Sequence, residues 1–192
     1  HQEAMAASRL IHPNTISVYD FGETDGLLYI AMEHVNGQDL GRVLFEEFPL
    51  QPERIIHIMR QVCLALDEAH ANGVLHRDLK PENIMVGDRR NMKDFVKVLD
   101  FGIAKLMDSL PDNPIQTLQG TVCGTPEYMS PEQARGADID GRSDLYSVGV
   151  ILYQLLTNRL PFTGDNPLEI MTQHLTAIPV NPHQLVADAH PL

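Results

Sequence analysis

The stretch "HRDLKPEN", residues 76 to 83, decides how the rest of this sequence is interpreted. It combines a basic pair, two acids, a lysine and an amide with only a leucine and a proline. Asp78 and Asn83 are five residues apart, so one could serve as a base and the other as an oxygen ligand for Mg²⁺. Lys80 would place a positive charge beside a transferring phosphoryl group. A turn that exposes its charges to water is the alternative interpretation.

A second motif places a carboxylate at the end of a predicted strand. In "KVLDFG", residues 97 to 102, a strand-like run leads into Asp100, Phe101 and Gly102. A carboxylate in this position is well placed to hold a metal ion, and the glycine allows a sharp backbone turn. A plain strand exit remains the alternative, because Asp and Gly are common in turns.

The composition narrows the classes of protein to which the chain can belong. The chain has 192 residues and a formal net charge of −12 at pH 7. This balance argues against a general nucleic-acid or anionic-membrane binder, because both need a basic face. The two cysteines, Cys63 and Cys123, suggest a reducing compartment or at least no disulfide framework. No apolar run approaches the roughly 20 residues of a membrane helix, so an anchor is expected only outside this chain.

The periodicity of apolar residues predicts an α+β fold. The predicted strands are 15–21 with 27–33 as a hairpin, and 84–86 with 95–99 around a charged turn. The predicted helices cover 39–47, a segment that starts at Pro52, 143–157 and 167–175. The helix from Pro52 carries one apolar stripe, made by Ile55, Ile58, Met59, Val62 and Leu66. Residues 103–130 have no periodicity, which is typical of a functional or disordered segment.

Together with Ser130-Pro131-Glu132, the two motifs resemble the protein-kinase family and follow its order along the chain. His76-Arg77-Asp78 resembles the catalytic loop, and Asp100-Phe101-Gly102 resembles the magnesium-binding triplet. Lys80-Pro81-Glu82 and "GTPEY" (124–128) are similar to the serine/threonine branch. "SPEQARG" and "SDLYSVGVILYQLLT" are similar to bacterial receptor-type (Hanks-type) kinases.

The resemblance implies a protein-kinase-like fold in two parts. Residues 1–33 would form a partial N-lobe with one helix and two strands, and residues 34–192 would form the hinge and a mostly helical C-lobe. The family's Gly-rich loop and strand lysine have no counterpart in this sequence. The chain is therefore expected to be a piece of an active kinase or, alternatively, a truncated and inactive interaction module.

The resemblance also implies ATP and Mg²⁺ as cofactors and serine or threonine hydroxyls of proteins as substrates. Asp78 would orient the hydroxyl and accept its proton, Lys80 would stabilise the transferred group, and Thr125 would bridge these two. Asn83 and Asp100 would hold Mg²⁺. The residues expected to contact the nucleotide are Met32, Glu33, Val35, Asp39, Glu82, Met85 and Asp100. The residues expected to support the site are Glu3, His76, Phe101, Glu132 and Asp144.

Arg77, next to Asp78, implies control by phosphorylation. A phosphate on residues 103–123 would pair with this arginine and order the segment. Thr117 and Thr121 are the candidate acceptors, although hydroxyls in a polar loop more often face only solvent.

The expected partners and location follow from the same resemblance. The partners are ATP and protein substrates, without nucleic acid, and the family also allows a homodimer that phosphorylates itself in trans. The expected location is the cytoplasm, with a tether to the inner face of the plasma membrane allowed in the full-length protein. A zinc enzyme is disfavoured, because His70 and His76 are six residues apart and lack ligand spacing.

Overall fold

A computed structural model describes residues 10–24, 27–90, 92–101 and 124–186. In these ranges the α+β prediction is confirmed. The strands are β1 (Val18–Thr24), β2 (Leu27–Met32), β3 (Gln38–Asp39), β4 (Ile84–Arg89) and β5 (Met92–Val98). The helices are α1 (Leu40–Glu47), α2 (Pro52–Ala71), α3 (Pro131–Ala134), α4 (Gly141–Thr157), α5 (Pro167–Thr176) and α6 (Pro182–Leu185). Two 3₁₀ turns cover Pro81–Asn83 and Pro126–Tyr128.

The predicted hairpin forms between β1 and β2, but β1 starts later than the sequence predicts. The backbone of residues 14–16 instead continues towards β5: the N–H of Ile16 donates to the carbonyl of Val98, and the N–H of Val98 donates to the carbonyl of Asn14. The prediction of a strand from residue 15 was wrong because a local pattern cannot reveal a partner more than 80 residues away. This pairing attaches the hairpin to the strand that leads into Asp100.

The second sheet has the order β3–β4–β5, and all its strands are antiparallel. Strand β3 has only two residues and was not predicted. The segment before it crosses β4 at close range, since a Cβ on Gly37 would collide with the carbonyl of Val86. In turn, a Cβ on Gly87 would collide with the carbonyl of Asn36. Two glycines therefore allow the chain after β2 to lie directly against β4.

The core is built around α2. Pro52 occupies the first turn of this helix, where its missing N–H costs nothing, and Gly73 follows the helix with a φ of 72°. Every residue of the predicted apolar stripe is buried. The stripe packs against β5 and α4 in one hydrophobic cluster. Burying each such side chain contributes about 1.5–3 kcal/mol to the free energy of unfolding. The packing of α2 therefore stabilises both the second sheet and α4.

Two isoleucines of α2 allow a matched test of this core. Ile58 is fully buried, whereas 66% of Ile56 is exposed. We expect Ile58→Ala to lower the free energy of unfolding by about 3 kcal/mol, because it leaves a cavity in a packed core. Ile56→Ala removes the same atoms from the surface and should change it by less than about 1 kcal/mol. Urea unfolding of the two variants measures the difference, and equal losses would contradict this description of the core.

Candidate active site

A buried carboxylate positions the loop that carries the "HRDLKPEN" stretch. Only 2% of Asp144, in the first turn of α4, is exposed. Its two oxygens accept hydrogen bonds from the backbone N–H groups of His76 and Arg77, both at 2.9 Å. His70 Nε2 donates a third hydrogen bond at 2.7 Å. These three donors replace the water that a buried carboxylate loses, and they fix the backbone immediately before Asp78.

Asp78, Lys80 and Thr125 form one contiguous polar cluster. Lys80 Nζ lies 3.1 Å from Asp78 Oδ2 and donates to Thr125 Oγ1 at 2.8 Å. The backbone N–H of Thr125 donates to Asp78 Oδ1 at 2.9 Å. Both charged side chains remain partly exposed, at 31% for Asp78 and 26% for Lys80. A carboxylate held in this way keeps a fixed orientation while a substrate can still reach it.

Asn83 connects this cluster to the end of β5. Its side-chain amide donates to the carbonyl of Asp78 at 2.9 Å, and its own carbonyl accepts from the N–H of Leu99 at 2.8 Å. Asp100, directly after Leu99, has a φ of 61°, which turns the chain sharply out of the strand. The two motifs found in the sequence therefore meet at Asn83, although they are contributed by separate turns.

His76 packs between the two motifs. Its Nε2 donates to the carbonyl of Leu99 at 2.8 Å, and its ring lies edge-on to Phe101 with centroids 5.0 Å apart. Burial lowers the pKa of His76, while the carboxylates of Asp144, Asp78 and Asp100 act in the opposite direction. Burial prevails, so the imidazole is neutral near pH 7.

The segment after β2 is held to the sheet by an ion pair. Lys97 Nζ lies 2.7 Å from Glu33 Oε1 and donates to the carbonyl of Thr15 at 2.9 Å. Burial alone would raise the pKa of Glu33, but hydrogen bonds from Lys97 and Ser17 hold it below its ordinary value. The backbone N–H of Glu33 donates to the carbonyl of Ser17. The path of this segment is therefore fixed from both sides.

The other residues expected to contact a nucleotide have different surroundings. Met32 is 36% exposed, and Met85 and Val35 are half-buried. Asp39 caps α1, because its carboxylate accepts from the N–H of Arg42 at 2.9 Å. Glu82 is exposed; its carboxylate lies beside Gly41 and acts on Tyr128 of the second 3₁₀ turn. The Glu82 side chain thus faces α1 and residues 126–128, which gives no support to the predicted nucleotide contact.

A cavity of about 320 Å³ lies between the segment after β2 and the tip of the β4–β5 hairpin. Its walls include Glu33 and Val35, but not Met32, Met85 or Asp100. The cavity therefore touches the predicted hinge without containing the rest of the predicted nucleotide site. Its walls are Glu33, His34, Val35, Asn36, Gly87, Asp88, Arg89, Phe95 and Lys97.

The segment around Thr125 is anchored to α4 by contacts that the sequence did not reveal. Ser147 Oγ donates to the carbonyl of Tyr128, and Tyr128 Oη donates to Gln154 Oε1, both at 2.8 Å. Ser143 Oγ donates to Glu132, which lowers the pKa of this carboxyl. Glu132 was expected from the family resemblance, but its partner Ser143 was not, because a serine inside a helix gives no distinctive pattern.

His174 of α5 is a second buried histidine that the sequence did not single out. Its Nδ1 lies 2.7 Å from Tyr146 Oη, and its ring lies edge-on to Phe162 with centroids 4.8 Å apart. Burial lowers the pKa of His174, and the carbonyls of Pro126 and Glu127 and the Glu127 carboxylate oppose this effect. The ring therefore joins α5 to α4 through Tyr146, and α5 also contacts the 3₁₀ turn of residues 126–128.

Some predicted residues lie outside the described part of the chain: Glu3, Gly102, Thr117, Thr121 and Cys123. Among the described residues, no three His, Cys, Asp or Glu side chains are grouped so that they could hold a metal ion. In the same residues, no helix has the length and apolar character needed to span a membrane.

Comparison with known proteins identifies the family. Residues 1–189 match the family described as "Protein kinase domain". The chain is 61% identical over 189 residues to serine/threonine-protein kinase pkn3 of Myxococcus xanthus, covering 98% of the chain and 35% of that protein. It is 43% identical over 185 residues to serine/threonine-protein kinase PknB of Mycobacterium tuberculosis, covering 94% and 29%.

A third relative is a probable serine/threonine-protein kinase, CE0033, of Corynebacterium efficiens. It is 42% identical over 194 residues, which cover 99% of the chain and 28% of the relative. The chain belongs to the protein kinase domain family, and the resemblance to bacterial serine/threonine kinases is confirmed. The chain spans about a third of the length of these relatives.

The lowered pKa of His174 predicts that this residue contributes to a loss of stability in acid. The unfolded chain binds a proton at this residue near pH 6.5, but the folded chain does so only at lower pH. The free energy of unfolding should therefore fall as the pH drops below about 6.5. We expect a shallower fall in His174→Phe, which keeps an aromatic ring between Tyr146 and Phe162.

Urea unfolding at pH 7.5, 6.5 and 5.5 measures this slope. His57→Gln, at an exposed position of α2, controls for the loss of one imidazole. A slope in His174→Phe as steep as in the original protein would contradict the assignment.

Proposed function

We propose that this chain carries the catalytic centre of a bacterial kinase that transfers the terminal phosphoryl group of ATP to serine or threonine hydroxyls of proteins. The observation that carries the proposal is the cluster in which Lys80 and the Thr125 backbone fix the Asp78 carboxylate. Asn83 links this cluster to the turn that contains Asp100. The names of the relatives support the same activity, since two are serine/threonine-protein kinases and the third is a probable one.

The donor set suits magnesium. Mg²⁺ is usually bound by one or two protein oxygens together with phosphate oxygens and water. Because Asn83 uses its amide nitrogen towards the Asp78 carbonyl, its side-chain oxygen is directed the other way. Asp100 contributes a carboxylate after a sharp turn. We propose these two oxygens as the protein ligands, and ATP with Mg²⁺ would supply the phosphoryl group and neutralise its charge.

The polar cluster supports a simple division of roles. Asp78 would orient the substrate hydroxyl and accept its proton as the hydroxyl oxygen bonds to the terminal phosphorus of ATP, and ADP would leave with the bridging oxygen. Lys80, already directed towards Asp78 and Thr125, stabilises charge on the transferred group. Thr125 keeps both side chains in place through its N–H and its hydroxyl. The rate gain would come from positioning and electrostatic stabilisation, because the protein forms no covalent bond itself.

The contacts to adenine, the division into lobes and the location of the protein are further proposals. The adenine would be contacted by Met32, Val35, Met85 and Glu33. Glu33 would contribute its backbone carbonyl, because its N–H already donates to the carbonyl of Ser17. Residues 1–33 would belong to an N-lobe, and residues 34–192 to the hinge and C-lobe. The protein would act in the cytoplasm on other proteins or on a second copy of itself, with any membrane tether outside this chain.

Removing the proposed base separates catalysis from nucleotide binding. In the full-length protein we expect Asp78→Asn to lower the rate of phosphoryl transfer at least 100-fold while MgATP still binds. Asp100→Asn should weaken binding of MgATP as well, because a metal ligand is lost. Transfer of labelled phosphate and nucleotide titration measure the two effects. Asp67→Asn, an exposed acid of α2, is the matched control. Full activity in Asp78→Asn would contradict the proposal.

Control by phosphorylation is a separate proposal, which rests on Arg77 and on threonines outside the described residues. If a phosphate on Thr117 or Thr121 pairs with Arg77, the double variant Thr117→Ala/Thr121→Ala should be several-fold less active in the full-length protein. Thr163→Ala, at an exposed position, serves as the control. Mass spectrometry should find phosphate on one of the two loop threonines of the active protein. An active protein without phosphate there would contradict this regulation.

A further inference from the structure

Arg77, the residue before the proposed base, has a strained backbone. Its φ of 72° lies in the left-handed region, which costs a non-glycine residue free energy unless its surroundings enforce it. Asp144 holds the N–H of Arg77 from the side of α4. One hydrogen bond on the N–H fixes only one end of this residue, so the carbonyl end needs a partner of its own.

The side chain of Gln133 supplies that partner. Gln133 Nε2 donates to the carbonyl of Arg77 at 2.7 Å, across 56 positions of sequence. The same carboxamide accepts the N–H of Ser130 through Oε1 at 2.9 Å, and Ser130 Oγ accepts the N–H of Gln133 in return. This reciprocal pair is a capping box at the start of α3. Because the cap fixes the carboxamide oxygen, the nitrogen is aimed at Arg77.

We propose that Gln133 is a positioning residue for the proposed base Asp78. It clamps the carbonyl of Arg77 while Asp144 clamps the N–H, so the strained peptide before Asp78 is held from α3 and α4 together. Gln133 lies three residues beyond Ser130, on the segment that also contains Thr125. The hydrogen bond from Gln133 therefore couples the placement of this segment, which carries Thr125, to the orientation of Asp78. This inference rests on the proposed phosphotransfer function.

The amide nitrogen can be tested separately from the cap. Gln133→Glu keeps an oxygen that can accept from Ser130, since glutamate also completes a capping box, but it removes the donor to Arg77. Gln133→Met is similar in length and removes both the donor and the acceptor. Gln184→Glu introduces the same charge at an exposed position of α6. It is the matched control.

The carboxyl introduced by Gln133→Glu also gives a pH readout. When protonated it can again donate to the Arg77 carbonyl, so contact with this carbonyl favours the neutral form and raises its pKa. The carboxylates of Asp78 and Asp144, on either side of Arg77, act in the same direction, and the Arg77 guanidinium opposes them. A low pH should therefore restore the contact in Gln133→Glu but not in Gln133→Met.

The experiment measures kcat, KM for MgATP and the thermal midpoint of the full-length protein from pH 5.5 to 7.5. At pH 7.5 we expect both Gln133 variants to lower kcat about ten-fold with KM within two-fold of the original protein. As the pH falls to 5.5, kcat relative to the original protein should rise several-fold for Gln133→Glu only. Its thermal midpoint should approach that of the original protein over the same range.

Each outcome decides the inference. Undiminished kcat in Gln133→Glu, or a deficit independent of pH, overturns the positioning role while leaving the kinase assignment intact. A deficit of equal size in Gln184→Glu also overturns it, because added charge alone would then explain the loss. No phosphoryl transfer by the original protein overturns the proposed function and the positioning role together. In that case the thermal midpoints still report whether Gln133 contacts Arg77.

Discussion

The proposed active site depends on one buried carboxylate. Asp144 is almost inaccessible to water, and its oxygens hold the backbone N–H groups of His76 and Arg77. An isolated buried charge would cost several kcal/mol, so its hydrogen bonds are a condition for its presence. The first turn of α4 adds a favourable helix dipole for the negative charge. Because α4 packs on α2, the main core helix, the loop before Asp78 is anchored to the hydrophobic core.

That anchoring explains how a strained backbone can persist at Arg77, next to the proposed base Asp78. Arg77 is held in the left-handed region by donors and acceptors that reach it from two different helices. Relaxing its φ would break the hydrogen bond to Asp144 and the one to Gln133, which leaves buried or half-buried polar groups without partners. Such groups cost about 1–3 kcal/mol each, similar to the strain itself. Arg77 therefore keeps its strained conformation, and the backbone before Asp78 is held in a single orientation.

The sequence predicts the parts of this molecule that follow from local pattern. The apolar stripe of α2 and the hairpin follow from periodicity. Of the polar cluster, Asp78 and Lys80 belong to the motif of residues 76–83, whereas Thr125 was expected only from the family resemblance. The sequence does not predict β3 or the crossing of Gly37 over Gly87, because these depend on contacts between distant segments with no periodic signal. The role of Gln133 was partly visible, since Ser130 followed three residues later by Gln fits a capping box. Its second hydrogen bond, to Arg77, required the fold.

The contacts of Lys97 also join segments that are distant in the sequence. A side chain only 8% exposed carries an ammonium group that bonds Glu33 after β2 and the Thr15 carbonyl before β1. A buried ion pair of this kind contributes little net stability, because desolvation offsets much of the attraction. Its effect here is geometric. Lys97 lies in β5, and Asp100 follows two residues after the end of this strand. The segment predicted to hold adenine and the turn predicted to hold Mg²⁺ are therefore attached to one element. Displacement of either would have to displace β5, and β5 is held in the core by Val96 and Val98 against α2.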